Sequence, residues 1–259
     1  MTRTGRWLRG SAGLAALVVT SQLLAITGLV PREFLPPAGE VLDRAAHLAG
    51  DREFLADVGA TLRAWAIGVA IAVGIGATLG LLLGGIPALN TAIRPVMEFL
   101  RPIPSIALIP LVSLILGAGL ATEATLIVYA ATWPVLYNTM YGLLEVDPVP
   151  QETLRVFGFG RVAVMWHVRL PAAAPFMATG VRLAAVTALI LAVSTEILAG
   201  FGDGLGVFIA QAQQAAEGTT DVLAGTVWSG ALGLLINTVL VRGERRLFGW
   251  HVSQAGQRR

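Results

Sequence analysis

Ala64–Ile86, AWAIGVAIAVGIGATLGLLLGGI, runs for twenty-three residues without a charge, and its reading decides the fold class. A bilayer core about 30 Å thick is crossed by about 20 apolar residues in helical form. Backbone N–H and C=O groups cannot stay unpaired in lipid, so such a run reads as a transmembrane helix. Its small residues, with Gly68, Gly74, Gly76, Gly80 and Gly84 among them, predict close approach to a neighbouring helix. In lipid, packing rather than aversion to water draws helices together.

Working outward, five more runs have this character: Ser11–Val30, Ile103–Ala118, Glu123–Leu144, Phe176–Ala199 and Val222–Val241. The chain is 55% hydrophobic and 13% charged. A soluble domain is about 45–50% apolar and about 25% charged, so a large soluble unit is excluded. The expectation is an all-α polytopic membrane protein with six transmembrane helices. Residues 1–33 form the tail and first span, 34–62 an external loop, 63–243 a membrane core holding a loop at 145–175, and 244–259 a tail. Arg3, Arg6 and Arg9 before the first run resemble the start of a secretory signal. The run is long for a signal and lacks a small-x-small cleavage site, so it reads as an uncleaved anchor.

The basic residues set the orientation. All 18 are arginine, and no lysine occurs. With the N-terminus inside, thirteen arginines fall on the inner side and four (Arg32, Arg44, Arg52, Arg63) on the outer side, with Arg182 inside a span. Positive charge marks cytoplasmic loops, so a multi-pass protein of the cell membrane with both termini cytoplasmic is expected. The net charge of +2 follows this topology and implies no nucleic acid. A P-loop needs a lysine at the phosphates and a Schiff base needs its amine, so neither chemistry belongs to this chain. Cysteine is absent, and His47, His167 and His251 are too scattered for a metal cluster. No cofactor is expected.

Residues 145–175 are too long for a plain connector, which takes about 2–8 residues. Asp147-Pro148 precedes the helical stretch ETLRVFG (Glu152–Gly158), Gly158-Phe159-Gly160 breaks it, and RVAVMWHVRLP (Arg161–Pro171) leads through Pro175 into the fifth run. The helix presents Leu154, Val156 and Phe157 on an otherwise polar loop. Such a face suits a groove on a soluble partner, or rests among lipid headgroups; amphipathicity alone leaves both open.

The spacing Glu152, Gly158, Val168, Leu170-Pro171 resembles the cytoplasmic signature EAA-x3-G-x9-I-x-LP of permease subunits of ABC importers. Thr153 and Leu154 stand where that signature has alanines, and Val168 where it has isoleucine. FLPPAGEVL (34–42), FLRPIPSIALIPL (99–111), Leu136–Thr139, GVRLA (180–184) and TEILAG (195–200) are similar to the nitrate/sulfonate/taurine type. The resemblance implies the type I importer permease fold and a pathway for a small, anionic solute. It implies two ABC ATPase subunits docking on the 152–171 loops, an external substrate-binding protein, and a second permease subunit, with a homodimer expected. Alternating access driven by ATP on the partner subunits is the implied mechanism, so the chain itself is no enzyme. The coupling residues would be Glu152, Thr153, Leu154, Arg155, Phe157, Gly158, Val168, Leu170 and Pro171.

Single residues carry further expectations. Gly158 is expected to hold a backbone conformation that other residues resist. Glu152 is expected to cap its helix or pair with an arginine, with capping favoured. Glu196, the one acid deep in a span, reads as a pathway group, an interhelix contact or a headgroup contact. Arg182 is expected to snorkel in preference to touching substrate, and Asn138 to bond across helices. Pro102, Pro104 and Pro110 should bend the third span. Trp7, Trp65 and Trp250 read as interfacial anchors. An ion-coupled secondary transporter would show internal repeats and paired buried charges, and none is apparent. An intramembrane enzyme lacks its nucleophile and base, and a non-transporting scaffold leaves the spaced signature unexplained.

Overall fold

The computed structural model describes residues 3–200, 202–215 and 218–248, with side chains from residue 12 onward except Leu14 and Leu17. The Trp7 side chain, and Trp250 with the rest of the tail from residue 249, lie outside it. Among the described residues every regular element is helical.

The centre is a three-helix unit of α3 (Arg52–Gly85), α6 (Leu120–Leu144) and α9 (Leu170–Ala199). Ala64, Gly68, Ala72, Gly76 and Gly80 recur every fourth residue on α3, so they share one face, and all are buried. Against that face lie Ile127, Val135, Thr139 and Leu143 of α6. At Gly76 and Gly80 a side chain is excluded: a Cβ would meet the Thr132 and Leu136 carbonyl oxygens at 2.9 and 2.8 Å. On the other flank, Ala184, Ala188 and Ala192 of α9 close the same core, and Gly180 lies against Asn138 and the Pro134 carbonyl.

The third expected run needs correction. Residues 103–118 hold a 3₁₀ turn (Ser105–Leu108) and α5 (Ile109–Leu116), eight residues and about 12 Å long. That is too short to cross a bilayer. The preceding segment is also helical, as α4 (Pro87–Leu100), and the two pieces pass a span's length and composition together, bent by 76°. Pro102 and Pro104 stand at the bend, as expected. Arg94, counted as a loop arginine, therefore lies within α4, and Arg101 at its end.

Among the described residues three helices are individually long and apolar enough to cross a membrane: Arg52–Gly85, Arg161–Ala199 and Thr219–Leu247 (α11). α6, at 25 residues, is also long enough, but carries Thr, Tyr, Trp and Asn side chains. Most of its core-facing residues meet protein, so apolarity is not demanded of it. α1 (Arg3–Ile26) precedes the segment expected to be an external loop, which is itself folded. There α2 (Ala38–Leu48) packs Ala45 and Leu48 into a cluster with Phe54, Leu205, Ile209 and Leu232. Phe54 meets Phe208 and Trp228 edge-on at 4.9 and 5.3 Å, and Arg44 pairs with Asp221 of α11.

Candidate functional site

The segment between α6 and α9 begins with Asp147, whose side chain accepts the Val149 N–H at 2.9 Å. It thereby caps α7 (Pro148–Val156), with proline at its first position. A carboxylate cap followed by proline is a strong helix start. Glu152, the cap candidate by charge, lies inside the helix instead and is exposed. Capping requires a side chain one step outside the first turn, and Asp147 holds that place.

Gly158 ends the helix as expected, with φ +83°. The Gly158 N–H donates to the Arg155 carbonyl and the Phe159 N–H to the Leu154 carbonyl, both at 3.0 Å. This is the paired closure of a Schellman motif, which needs a left-handed residue at that point. Both ends of a nine-residue helix are thus fastened by its own sequence.

Apolar side chains stand exposed at its C-terminal end. Val156 is 85% exposed and Phe157 76%, and Trp166 in the following segment 64%. Leu154, expected beside them, is half-buried. Thr153 donates to the Val149 carbonyl at 2.9 Å, and Arg155 is exposed.

After α8 (Arg161–Val164), Met165–Arg169 widens into a π turn that runs straight into α9. Pro171 explains it: proline gives no N–H to the residue four back, and its ring crowds that carbonyl. Val164 is buried, and Val168 and Leu170 are half-buried against the bundle.

Arg169 was legible in the sequence only as one more inner charge. Its guanidinium donates to the Gly84 carbonyl at 3.0 Å and the Leu143 carbonyl at 3.1 Å. These are terminal carbonyls of α3 and α6, where cations are favoured by the helix dipole. One side chain therefore ties this segment to the ends of two long helices. Hydrogen bonds to a charged group contribute about 1.5–3 kcal/mol each.

The polar residues inside the bundle divide differently from expectation. Glu196 is 1% exposed and accepts the Gly206 N–H at 2.7 Å and the Thr61 hydroxyl at 3.0 Å. Thr61 also accepts the Leu205 N–H at 2.9 Å, and Asp57 accepts the Gly204 N–H at 3.1 Å. Three side chains from α3 and α9 thus satisfy the opening N–H groups of α10 (Leu205–Gln214). Glu196 is an interhelix group here, not a headgroup contact. Arg182 lies 3.3 Å from Glu244 near the end of α11, which also accepts the Thr179 hydroxyl at 3.0 Å. Asn138 bonds within its own helix, donating to the Pro134 carbonyl at 2.8 Å. The Trp65 indole N–H donates to the Ala185 carbonyl of α9 at 2.8 Å, an interhelix contact. Among the described residues no cluster of three His, Asp or Glu is arranged to hold a metal.

Three comparisons bear on this geometry. The Escherichia coli K12 taurine transport system permease protein TauC is 30% identical over 243 residues, covering 92% of this chain and 88% of that protein. The putative aliphatic sulfonates transport permease protein SsuC of Bacillus subtilis 168 is 28% identical, covering 96% and 90%. The inward-facing MetNI methionine ABC transporter shares the fold with a TM-score of 0.61 and 23% identity, over 74% of this chain and 94% of that one. Residues 68–249 match the model of the binding-protein-dependent transport system inner membrane component, a span that holds the second half of α3, all of α6 and α9, and the capped α7 segment. The chain belongs to that family of inner-membrane transport permeases.

Proposed function

We propose that this chain forms the translocation pathway of an ATP-driven importer for a small anion of the taurine, sulfonate or nitrate kind. Six crossings suit the helices: α1, α3, the bent α4–α5 pair, α6, the helix from Arg161 to Ala199, and α11. The arginine distribution puts both termini, the 145–175 loop and the 244–259 tail in the cytoplasm, and the 34–62 segment outside. Residues 63–243 are the membrane core. A substrate-binding protein delivers the solute outside, a second copy of the chain completes the pathway, and an ATPase subunit docks on each copy's α7.

The observation that carries this reading is α7. Its outward apolar residues, Val156 and Phe157, form the kind of surface that a partner covers. Its ends are locked by Asp147 and Gly158, and Arg169 fastens the same segment to α3 and α6. A push on α7 reaches the span ends through hydrogen bonds rather than through slack loop.

The test is uptake of labelled taurine into proteoliposomes holding the chain, its ATPase and its binding protein. ATP without an ion gradient is expected to drive uptake. Uptake that needs a proton or sodium gradient and ignores ATP would mean a secondary transporter. Because native cysteine is absent, an Arg155→Cys variant reports sidedness cleanly. Labelling of that cysteine by an impermeant reagent from outside the cell would end the coupling role.

A further inference from the structure

Asn90, Arg94, Glu98 and Arg101 fall at helical spacing on α4 and line one cavity with Tyr137 and Tyr141 of α6. Its volume is about 180 Å³. Arg94 is held by Glu98 at 2.7 Å. Arg101 has no acidic partner among the described residues, and its guanidinium lies 4.7 Å from the Tyr137 ring centre. Tyr137 and Tyr141 stack at 5.8 Å behind it.

The depth of this arginine matters. The Tyr129 hydroxyl donates to the Leu100 carbonyl at 2.8 Å, which levels the end of α4 with the middle of α6. At 1.5 Å per residue, Tyr129 is about 13 Å from the start of α6 and about 22 Å from its end. Arg101 thus leaves the backbone at the break of a bent span, and its guanidinium lies beside Tyr137, about 10 Å before the end of α6. A charge at the bilayer centre costs at least about 2.5–3.5 kcal/mol when it meets lipid. Arg94, Glu98 and Arg101 are all exposed on this face, so the face meets water or protein rather than acyl chains. Broken spans are where transporters place their binding groups.

We infer that the α4–α6 cleft is an oxyanion subsite, with Arg101 as the group that takes the anion. This rests on the permease reading and deepens it. A planar guanidinium offers paired donors to a sulfonate, nitrate or phosphate group, and the Tyr137 ring keeps it positioned. The cavity matches a solute of taurine's size. The Arg94–Glu98 pair lies one turn and two turns back along α4, toward the end where α3 and α6 finish. The same chemistry fits a phospholipid headgroup, so the experiment separates the two sources.

The chain alone is placed in nanodiscs of phosphatidylcholine, and methanesulfonate binding is measured by saturation-transfer NMR. The wild type is expected to bind. Arg101→Gln should bind at least about tenfold more weakly, Arg101→Lys should fall between, and Arg52→Gln, at the far end of α3, should match the wild type. Native mass spectrometry of the chain in discs containing phosphatidylglycerol tests the headgroup. Lipid retained by the wild type and lost in Arg101→Gln, with methanesulfonate displaced, assigns the site to a headgroup phosphate. Methanesulfonate binding that persists in those discs assigns it to a free solute anion. Equal binding of both probes by the wild type and Arg101→Gln overturns the inference. If Arg101→Gln fails to fold, Arg101→Lys and Tyr137→Leu, which removes the ring, supply the comparison, and unchanged binding in both overturns it. None of these measurements uses ATP, so failure of ATP-driven uptake with the subsite intact would sink the importer reading alone.

Discussion

Replacing Gly80 by alanine tests the packing that sets α3 against α6. The new Cβ would lie 2.6 Å from Thr139 Cβ and 2.8 Å from the Leu136 carbonyl oxygen, where ordinary contact begins at 3.4 Å. The shortfall is about 0.8 Å, and neither neighbour yields easily. Thr139 is β-branched and stiff at χ1, and the carbonyl belongs to a helix ladder. The two helices must part, loosening the contacts at Gly76 and Gly84 above and below. Such overpacking costs about 1–3 kcal/mol. Glycine to alanine in a helix interior returns up to about 1 kcal/mol of propensity, which blurs the result if only the wild type is compared. Gly59→Ala and Gly74→Ala remove that term, because a Cβ at either position meets nothing within 4 Å. Gly80→Ala is therefore expected to be about 1–3 kcal/mol less stable than either control. The assay is unfolding in mixtures of dodecyl sulfate and a mild detergent, followed by tryptophan fluorescence, with Trp65 and Trp133 on the two helices concerned. Equal midpoints for Gly80→Ala and the two controls would refute the close-packing argument.

Gly158→Asp puts a side chain on a positive φ, costing about 1–2 kcal/mol, and opens the end of α7. The variant should still enter the membrane but lose its ATPase partner, whereas Gly158→Asn, which tolerates that conformation, should retain it; undiminished co-purification of the ATPase with Gly158→Asp contradicts the prediction. Arg169→Met removes both carbonyl contacts and should lower stability by about 2–5 kcal/mol, while Arg169→Lys, with one point charge in place of a fork, should recover part of it; unfolding midpoints decide. Glu196→Gln keeps an acceptor for Gly206 and Thr61, so its melting temperature and transport should stay near the wild type. Glu196→Ala leaves a buried N–H unmatched and should lose about 1–3 kcal/mol; equal melting of the two variants would remove Glu196 from the α10 cap.

Much of the site was readable because it is local. An Asp-Pro pair before a helix and a glycine after it are signals written within ten residues, and α7 begins and ends where they stand. The small-residue face of α3 was equally plain, since a four-residue repeat needs no partner to be seen. The misplaced third span has the opposite cause. Arg94, Glu98 and Arg101 made α4 look like loop, because charge is a reliable sign of exposure only when nothing else covers the helix. Glu196 and Arg182 were visible as buried charges but their partners were not. Thr61 lies more than a hundred residues from Glu196, and Glu244 falls in what composition marks as tail.

What the order of residues marked unaided is local: apolar length marks the helices that can cross a membrane, and a nine-residue helix carries its own caps at both ends. Only the assembled bundle decided which polar groups meet, because a hydrogen bond between distant segments depends on how helices are rotated and staggered. Arg169 reaching the ends of two spans, Glu196 closing α10 and Arg101 left without an acid are all products of that stagger.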